Sequence, residues 1–448
     1  DVKGEGNGKG KREKVRGLII EHGYVLPMDD ENSIIAARAV VIEDDKIVAV
    51  GPTDEIRAQY KCSKRIDASM KAVMPGLINL HYHSSMGRGM YDNLGLFDFL
   101  MQFWYPVNRA MTPEEAYWAA MAGYVDSIKR GTTSVNDQWR QMIACGDAAE
   151  VAGIRAVLCN VVGDESFDID TVADNEELYL AKHGAANGRI RVFFGVEWVP
   201  LASEQIMRDT AAMADQYDTG IHIHLNESQG EVQASLDRHG MRPSVFAYET
   251  GVLRPKCVAA HAVWLSDEEV ELMAETQTSI SHNPVSNAKF GNGIARVPDY
   301  MAAGINTGIG HDSAVCNNSV DMFEQMKWSA LIHRAQRMDE YLMPTDTVLR
   351  MATVDGSAAL HQNTGRLAPG MKADVILIGL DELHLTPLLD GPDSNLKAHL
   401  ALAAHGEDVD TTIIDGQIVM EDREVKTVDE EEVREKANAA FLSVYERI

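Results

Sequence analysis

The sequence predicts an α/β fold: a (β/α)8 TIM barrel with a small β-sandwich domain formed by both chain ends. Three observations predict it. Between residues 75 and 362, short β-rich runs alternate with helical stretches eight times. The two ends of the chain resemble each other and not the middle. The ionisable side chains best suited to chemistry stand at the C-terminal ends of the eight runs, where such a barrel keeps its working face.

Taken in order, residues 1–16 are rich in Gly and Lys with no apolar run behind them, and read as a ragged terminus rather than a signal peptide. Residues 17–52 carry GLIIEHGYVL and AARAVVIEDDKIVAVGP; residues 365–420 carry GRLAPGMKADVILIGL and DTTIIDGQIVMED. Both segments place acidic or glycine turns between β-branched runs, a hairpin signature. They assign 1–74 and 363–448 to one sandwich and 75–362 to the barrel. A last helix is expected from about residue 429 to 447, with an acidic solvent face.

The eight barrel runs are 72–81, 132–137, 154–162, 190–198, 219–227, 256–261, 278–283 and 305–312. Stretches such as PEEAYWAAMAGYVDSIKRG and SDEEVELMAETQ supply the helices between them. Residues 94–107, LGLFDFLMQFWYPV, place apolar groups at helical spacing and read as core rather than pocket.

Composition bounds the function. With 448 residues and 45 % apolar content, the chain can bury a large core. Its net charge of −27 repels phosphate backbones, which argues against nucleic acid and favours neutral or cationic small-molecule substrates. Five cysteines, none spaced as CxxC, point to a reduced, cytoplasmic protein without disulfides or a zinc knuckle. No apolar run approaches membrane-spanning length.

The strand ends carry the chemistry. Run one ends in His81-Tyr82-His83, run five in His222-Ile223-His224 with Glu227 three residues on, run six in His261, run seven in Ser281-His282-Asn283, and run eight in His311-Asp312. Side chains two apart on a strand share a face, so His81 and His83 can reach one ion. HxH alone is a weak signal; HxH on the first strand with histidines on the fifth and sixth and Asp on the eighth is a strong one. Imidazoles and a carboxylate suit one divalent ion, Zn2+ first and Fe2+ second. Blander readings stand beside these: His222 is a barrel-interior residue, Asp137 a structural hydrogen-bonding partner, Cys316 a small apolar filler.

The motifs MPGLINLHYH, HLNES, AAHAVWL, SHNPVSNAKFGNGIA, GIGHDSAVCNN and GRLAPGMKADVILI jointly resemble the amidohydrolase superfamily in its cytosine-deaminase-like branch. The resemblance covers nearly the whole chain. It implies that His81, His83, His224 and Asp312 bind one metal, that Asp312 also acts in catalysis by helping to deprotonate the water, that Glu227 shuttles protons, and that His261 supports the attacking water or the tetrahedral centre. Some branches of the family bridge two metals through a carboxylated lysine at the end of strand four; RIRVFFGVEWVP has no lysine, which implies a single ion. The family also implies a homo-oligomer.

The substrate reading is a planar N-heterocycle that loses an exocyclic amine: purine, pterin, pyrimidine or s-triazine. SHNPVSNAKFGNGIA is similar to the segment in S-adenosylhomocysteine/methylthioadenosine deaminases. Those enzymes carry an arginine after strand three and a histidine after strand four, where this chain has LCNVVGD and Glu197-Trp198. HGMRPSVF resembles a segment of 8-oxoguanine deaminase and s-triazine hydrolases, which favours a free ring. Phe103, Trp104, Trp198 and Trp264 are candidates to stack on it, and Gln138, Glu197, His282 and Asn283 to contact it. The rival readings are displacement of alkylamine or chloride from a triazine-like ring, deamination of an adenosine thioether, and a non-catalytic assembly protein.

Overall fold

The run at 72–81 holds the end of one strand and the start of another. A Cβ on Gly76 would lie 2.1 Å from the Thr133 side chain, so only glycine allows this crossing. There the chain leaves Lys71–Pro75, a strand of the terminal sheet, and enters Leu77–His83, barrel strand one. The computed structural model describes residues 17–31 and 33–448; the reading of residues 1–16 lies outside the described residues.

Barrel strands two and three are Thr132–Gln138 and Arg155–Cys159; five, six and seven are Ile221–Leu225, Cys257–His261 and Ser279–His282. Strands four and eight are each broken. Strand four is Ile190–Val192 followed by Phe194–Trp198, and strand eight is Thr307–Ile309 followed by Asp312–Ser313. Two five-stranded parallel arcs each take one half of both broken strands, and so close the barrel. The last pairing sets Asp312 against Tyr82 and Ser313 against His83, which brings the eighth strand's carboxylate beside the first strand's histidines.

Helices lie between the strands with local signals that match. Thr112 caps Pro113–Lys129: its hydroxyl accepts the Glu115 N–H at 3.3 Å and the Glu115 carboxylate accepts the Thr112 N–H at 2.9 Å. The final helix is Glu430–Tyr445, capped by Asp429.

Both chain ends build one nine-stranded sheet. Leu18–Val25 pairs with Lys64–Asp67 through its first half and with Lys71–Pro75 through its second. Val375–Gly379 pairs antiparallel with Lys71–Pro75 and joins the C-terminal strands to the N-terminal ones. Leu18, Ile20, Val40, Val73, Val375 and Leu377 share one apolar cluster drawn from both ends. Arg155, at the start of barrel strand three, ties this unit to the barrel: it donates to Asp374 at 2.7 and 2.8 Å and to Asp415 at 2.9 Å, all buried. Among the described residues, no helix is long and apolar enough to cross a membrane.

Candidate metal centre and active site

The two-residue period of strand one sends His81 and His83 to the same side. Their Nε2 atoms lie 3.1 Å apart, and His224 Nε2, from strand five, lies 3.2 Å from that of His83. Asp312 Oδ1 stands 3.5 Å from His83 Nε2 and 4.0 Å from His81 Nε2. Donors bonded tetrahedrally to one ion at about 2.0–2.1 Å are roughly 3.4 Å from one another. The four residues fit a divalent metal on this test.

The other ring nitrogens are occupied. Nδ1 of His83 bonds to the Gln138 carbonyl, Nδ1 of His224 to the Glu197 carbonyl at 2.6 Å, and Nδ1 of His81 to His222 Nε2 at 2.9 Å. The carbonyl bonds place the proton on Nδ1 and leave the Nε2 lone pair for a metal. Burial holds all three imidazoles below their ordinary pKa, hence neutral and able to ligate. Asn226, His261 and Asp312 turn at φ 52°, 74° and 66°, in the left-handed region. Such strain at strand ends, where side chains are aimed, is a mark of a working site.

Glu227 lies beside this cluster. Its Oε1 accepts a hydrogen bond from Asn292 Nδ2 at 2.9 Å and is 3.8 Å from His261 Nδ1. Burial, then the nearby Asp312, pushes its carboxyl well above the usual range. Asn287 Oδ1 accepts from His261 Nδ1 at 2.8 Å, and the Ser286 hydroxyl donates to Asp312 Oδ2 at 2.6 Å. One short segment after strand seven thus holds three chemical groups, each by a different side chain. Sequence reasoning quoted this segment, SHNPVSNAKFGNGIA, but gave Ser286, Asn287 and Asn292 no role. A run of Ser and Asn buried in the fold was the available signal.

A cavity opens over the cluster. Its walls are His83, His224, Glu227, His261 and Asp312 on one side and Leu96, Phe99, Leu100, Trp104, Tyr105 and Phe290 on the other; Glu197, Trp198 and Cys316 complete it. Among the described residues, no lysine or arginine lines it. The stretch 94–107, read as core, supplies much of this wall. It forms a helix from Leu96 to Ala110 with a π-turn at Leu100–Trp104. The wider turn brings Trp104 and Tyr105 round to the cavity, while Phe103 packs against Tyr91 at 4.8 Å. Trp104 stands edge-on to His83 at 4.9 Å.

Of the substrate contacts expected from sequence, Glu197 and Trp198 line the cavity. Tyr105 donates to Glu197 Oε1 at 3.3 Å, Oε2 has no hydrogen-bond partner among the described residues, and burial pushes the carboxyl up to about 8. Gln138, Trp264, His282 and Asn283 do not line it. Gln138 Nε2 donates to the Asn160 and Val196 carbonyls. Trp264 is 37 % exposed and donates to the Asn292 carbonyl at 2.6 Å. His282 packs against His333 at 5.2 Å, and Asn283 Oδ1 accepts from Ser281 at 2.9 Å. His222 is interior, as expected, but it also touches a ligand. Asp137 accepts hydrogen bonds from the Ser84 N–H at 2.9 Å and Tyr124 at 2.6 Å, and so fixes the chain just after His83. Cys316 fills the cavity edge, and burial pushes its thiol far up, away from nucleophilic use.

Comparison with known proteins gives the family. A family model described as "Amidohydrolase family" matches residues 72–419, and one for an imidazolonepropionase-like composite domain matches residues 39–60. The chain is 37 % identical to 5-methylthioadenosine/S-adenosylhomocysteine deaminase of Acetivibrio thermocellus, over 93 % of this chain and 97 % of that one. It is 35 % identical to 5'-deoxyadenosine deaminase of Methanosarcina barkeri, over 96 % and 99 %. Among solved structures, an adenosine deaminase from Xanthomonas campestris with bound zinc superposes with a TM-score of 0.90 at 26 % identity, covering 96 % of this chain and 99 % of that one. Atrazine chlorohydrolase from Arthrobacter aurescens, complexed with zinc, gives 0.87 at 24 %, covering 94 % and 99 %, a likeness of fold. The chain belongs to the amidohydrolase family.

Proposed function

We propose that this hydrolytic deaminase of planar N-heterocycles holds one zinc ion and removes the exocyclic amine of adenine from a nucleoside whose 5′ end is small and uncharged. The observation that carries this is the cavity wall. Opposite the metal cluster stand Leu96, Phe99, Leu100 and Phe290, and the charged side chains present are carboxylates. A deoxy or methylthio 5′ end suits that wall. The amino-acid tail of S-adenosylhomocysteine would bring a carboxylate with no cation to meet it. The relatives named for these nucleosides support the ring. A free ring is the second reading, favoured by the missing arginine after strand three. Zinc rests on the nitrogen and oxygen donor set and on the zinc in the two solved relatives; ferrous iron is the alternative.

When bound, such an ion acidifies water and supplies a nucleophile at neutral pH. Glu227 gives a proton to the ring nitrogen beside the amine-bearing carbon, which makes that carbon electrophilic. The Glu227 carboxylate then takes the hydroxyl proton of the tetrahedral centre and passes it to the amine; the C=O bond forms as the C–N bond breaks, and ammonia leaves. His261, its Nδ1 held by Asn287, offers Nε2 to take a proton from the attacking water. As imidazolium it then stabilises charge on the new oxygen. In this reading 75–362 carries the chemistry, and the unit made of 1–74 and 363–448 braces it.

The test is ammonia release from 5′-deoxyadenosine, methylthioadenosine, S-adenosylhomocysteine, adenosine, guanine and melamine-type triazines, with zinc- and iron-loaded protein. The neutral 5′ ends should turn over best. Glu227→Gln should keep its metal and lose at least about a hundredfold in kcat. S-adenosylhomocysteine as the preferred substrate would sink the cavity argument; ammonia from free rings alone would move the assignment to the second reading.

A further inference from the structure

A second cavity opens at the catalytic end of barrel strands two and three and shares no lining residue with the first. It lies between the starts of helices Met142–Ala152 and Val172–Lys182. We infer that this cavity binds a small organic ammonium ion, held by Asn160, Asp170 and Glu177.

Asn160, only 4 % exposed, lines the cavity, and among the described residues its side-chain amide makes no hydrogen bond. Its amide is open to the cavity, where a ligand or water is what can meet it. Asp170 is also buried, and only one of its oxygens is satisfied. Oδ2 accepts the Val161 N–H at 3.2 Å, whereas Oδ1 faces Arg140 Nε at 3.6 Å, too far for a hydrogen bond. Arg140 instead donates to the Asp168 carbonyl at 3.3 Å. Asp174 on the same wall is engaged in capping its own helix through Thr171. Glu177 adds an exposed carboxylate one helical turn further on.

Acceptors and negative charge therefore exceed donors and positive charge. Three carboxyls face one guanidinium, and the Asn160 and Asp170 oxygens await donors. An ammonium group brings three N–H donors and the missing charge. Ile169 and Leu178 supply apolar wall for a carbon chain, which selects an organic cation over a hydrated metal ion. An anion would meet three carboxyls.

The experiment is calorimetric titration of putrescine into the metal-loaded protein at about pH 8, where a carboxyl held up to about 7 is ionised. One-site saturable binding is expected. Asp170→Asn and Asn160→Leu should each weaken it about tenfold or more, as loss of a hydrogen bond to a charged group does. Both variants should leave basal deamination unchanged. If either fails to fold, Glu177→Gln, on the surface, should still weaken binding. No binding by the native protein, equal binding by the variants, or binding of acetate in place of putrescine overturns the inference.

Discussion

Removing the Asn292 amide should slow the enzyme through Glu227 and through nothing else. Asn292→Leu deletes the donor 2.9 Å from Glu227 Oε1. The backbone at this position is fixed independently: its carbonyl accepts from Trp264 Nε1 at 2.6 Å, and its N–H donates to the Asn287 carbonyl at 2.9 Å. The substitution should therefore leave the chain path intact. A hydrogen bond to a charged group contributes about 1.5–3 kcal/mol, so kcat should fall about ten- to a hundredfold. KM and metal content should change little, because the ligands are held by other partners. The direction on the carboxyl is also set. Asn292 opposes the upward pressure of burial on Glu227, so its loss raises the pKa further. The assay is a double-mutant cycle on ammonia release. In a Glu227→Gln background, Asn292→Leu should cost almost nothing, because the residue it positions is already disabled. Full additivity of the two losses would refute the reasoning, as would loss of metal in the single variant.

Three further outcomes follow from the same geometry. Asp312→Ala should lose both turnover and tight metal binding; unchanged metal by elemental analysis would remove Asp312 from the ligand set. Arg155→Met leaves Asp374 buried without its cation and Asp415 with Lys372 alone, 3.2 Å away, and should lower stability by about 3–5 kcal/mol in urea unfolding; a loss near zero would mean that the two units do not depend on this link. Asp170 has its carboxyl raised from 3.8 to about 7, chiefly by burial. Its stabilising contribution is full below about pH 4 and is lost as pH rises through about 7, a difference of about 4 kcal/mol between the limits. Asp170→Asn should thus flatten the fall in Tm between about pH 4 and 7, and an unchanged fall would show that another group titrates there.

Much of the ligand set was legible in the sequence for a local reason. On a strand, His81 and His83 must share a face, and a barrel gathers its strand ends at one mouth. Once eight β-rich runs were counted, His224, His261 and Asp312 had to converge there with them. The terminal unit was legible for a similar reason, since hairpin turns and β-branched runs announce strands without long-range information. Two breaks were not. Runs four and eight read as single strands because Phe193 and Gly310-His311 carry no breaking signal strong enough to outweigh their β-rich neighbours. Gly310 is fixed instead by its surroundings: a Cβ there would come within 2.5 Å of Asn283 Oδ1 and Ser281 Oγ and 2.8 Å of His81 Cβ.

The substrate cavity shows the other limit. Stacking candidates chosen by residue type divided once the loops were placed: Trp198 and Trp104 face the cavity, while Phe103 packs against Tyr91 and Trp264 lies outside it, its Nε1 bonded to the Asn292 carbonyl; the expected contact His282 lies behind the wall against His333. Periodicity also took 94–107 for core, because a helix that roofs a cavity is as apolar as one that fills a core. The roles of Ser286, Asn287 and Asn292 came only from side-chain distances across the barrel mouth. The sequence alone determined which groups the strands would bring to one end, because pairing and pleat are local and periodic. Only the tertiary structure decided which loop residues cover, hold or miss those groups. That choice depends on contacts between segments far apart in the chain, which no local period encodes.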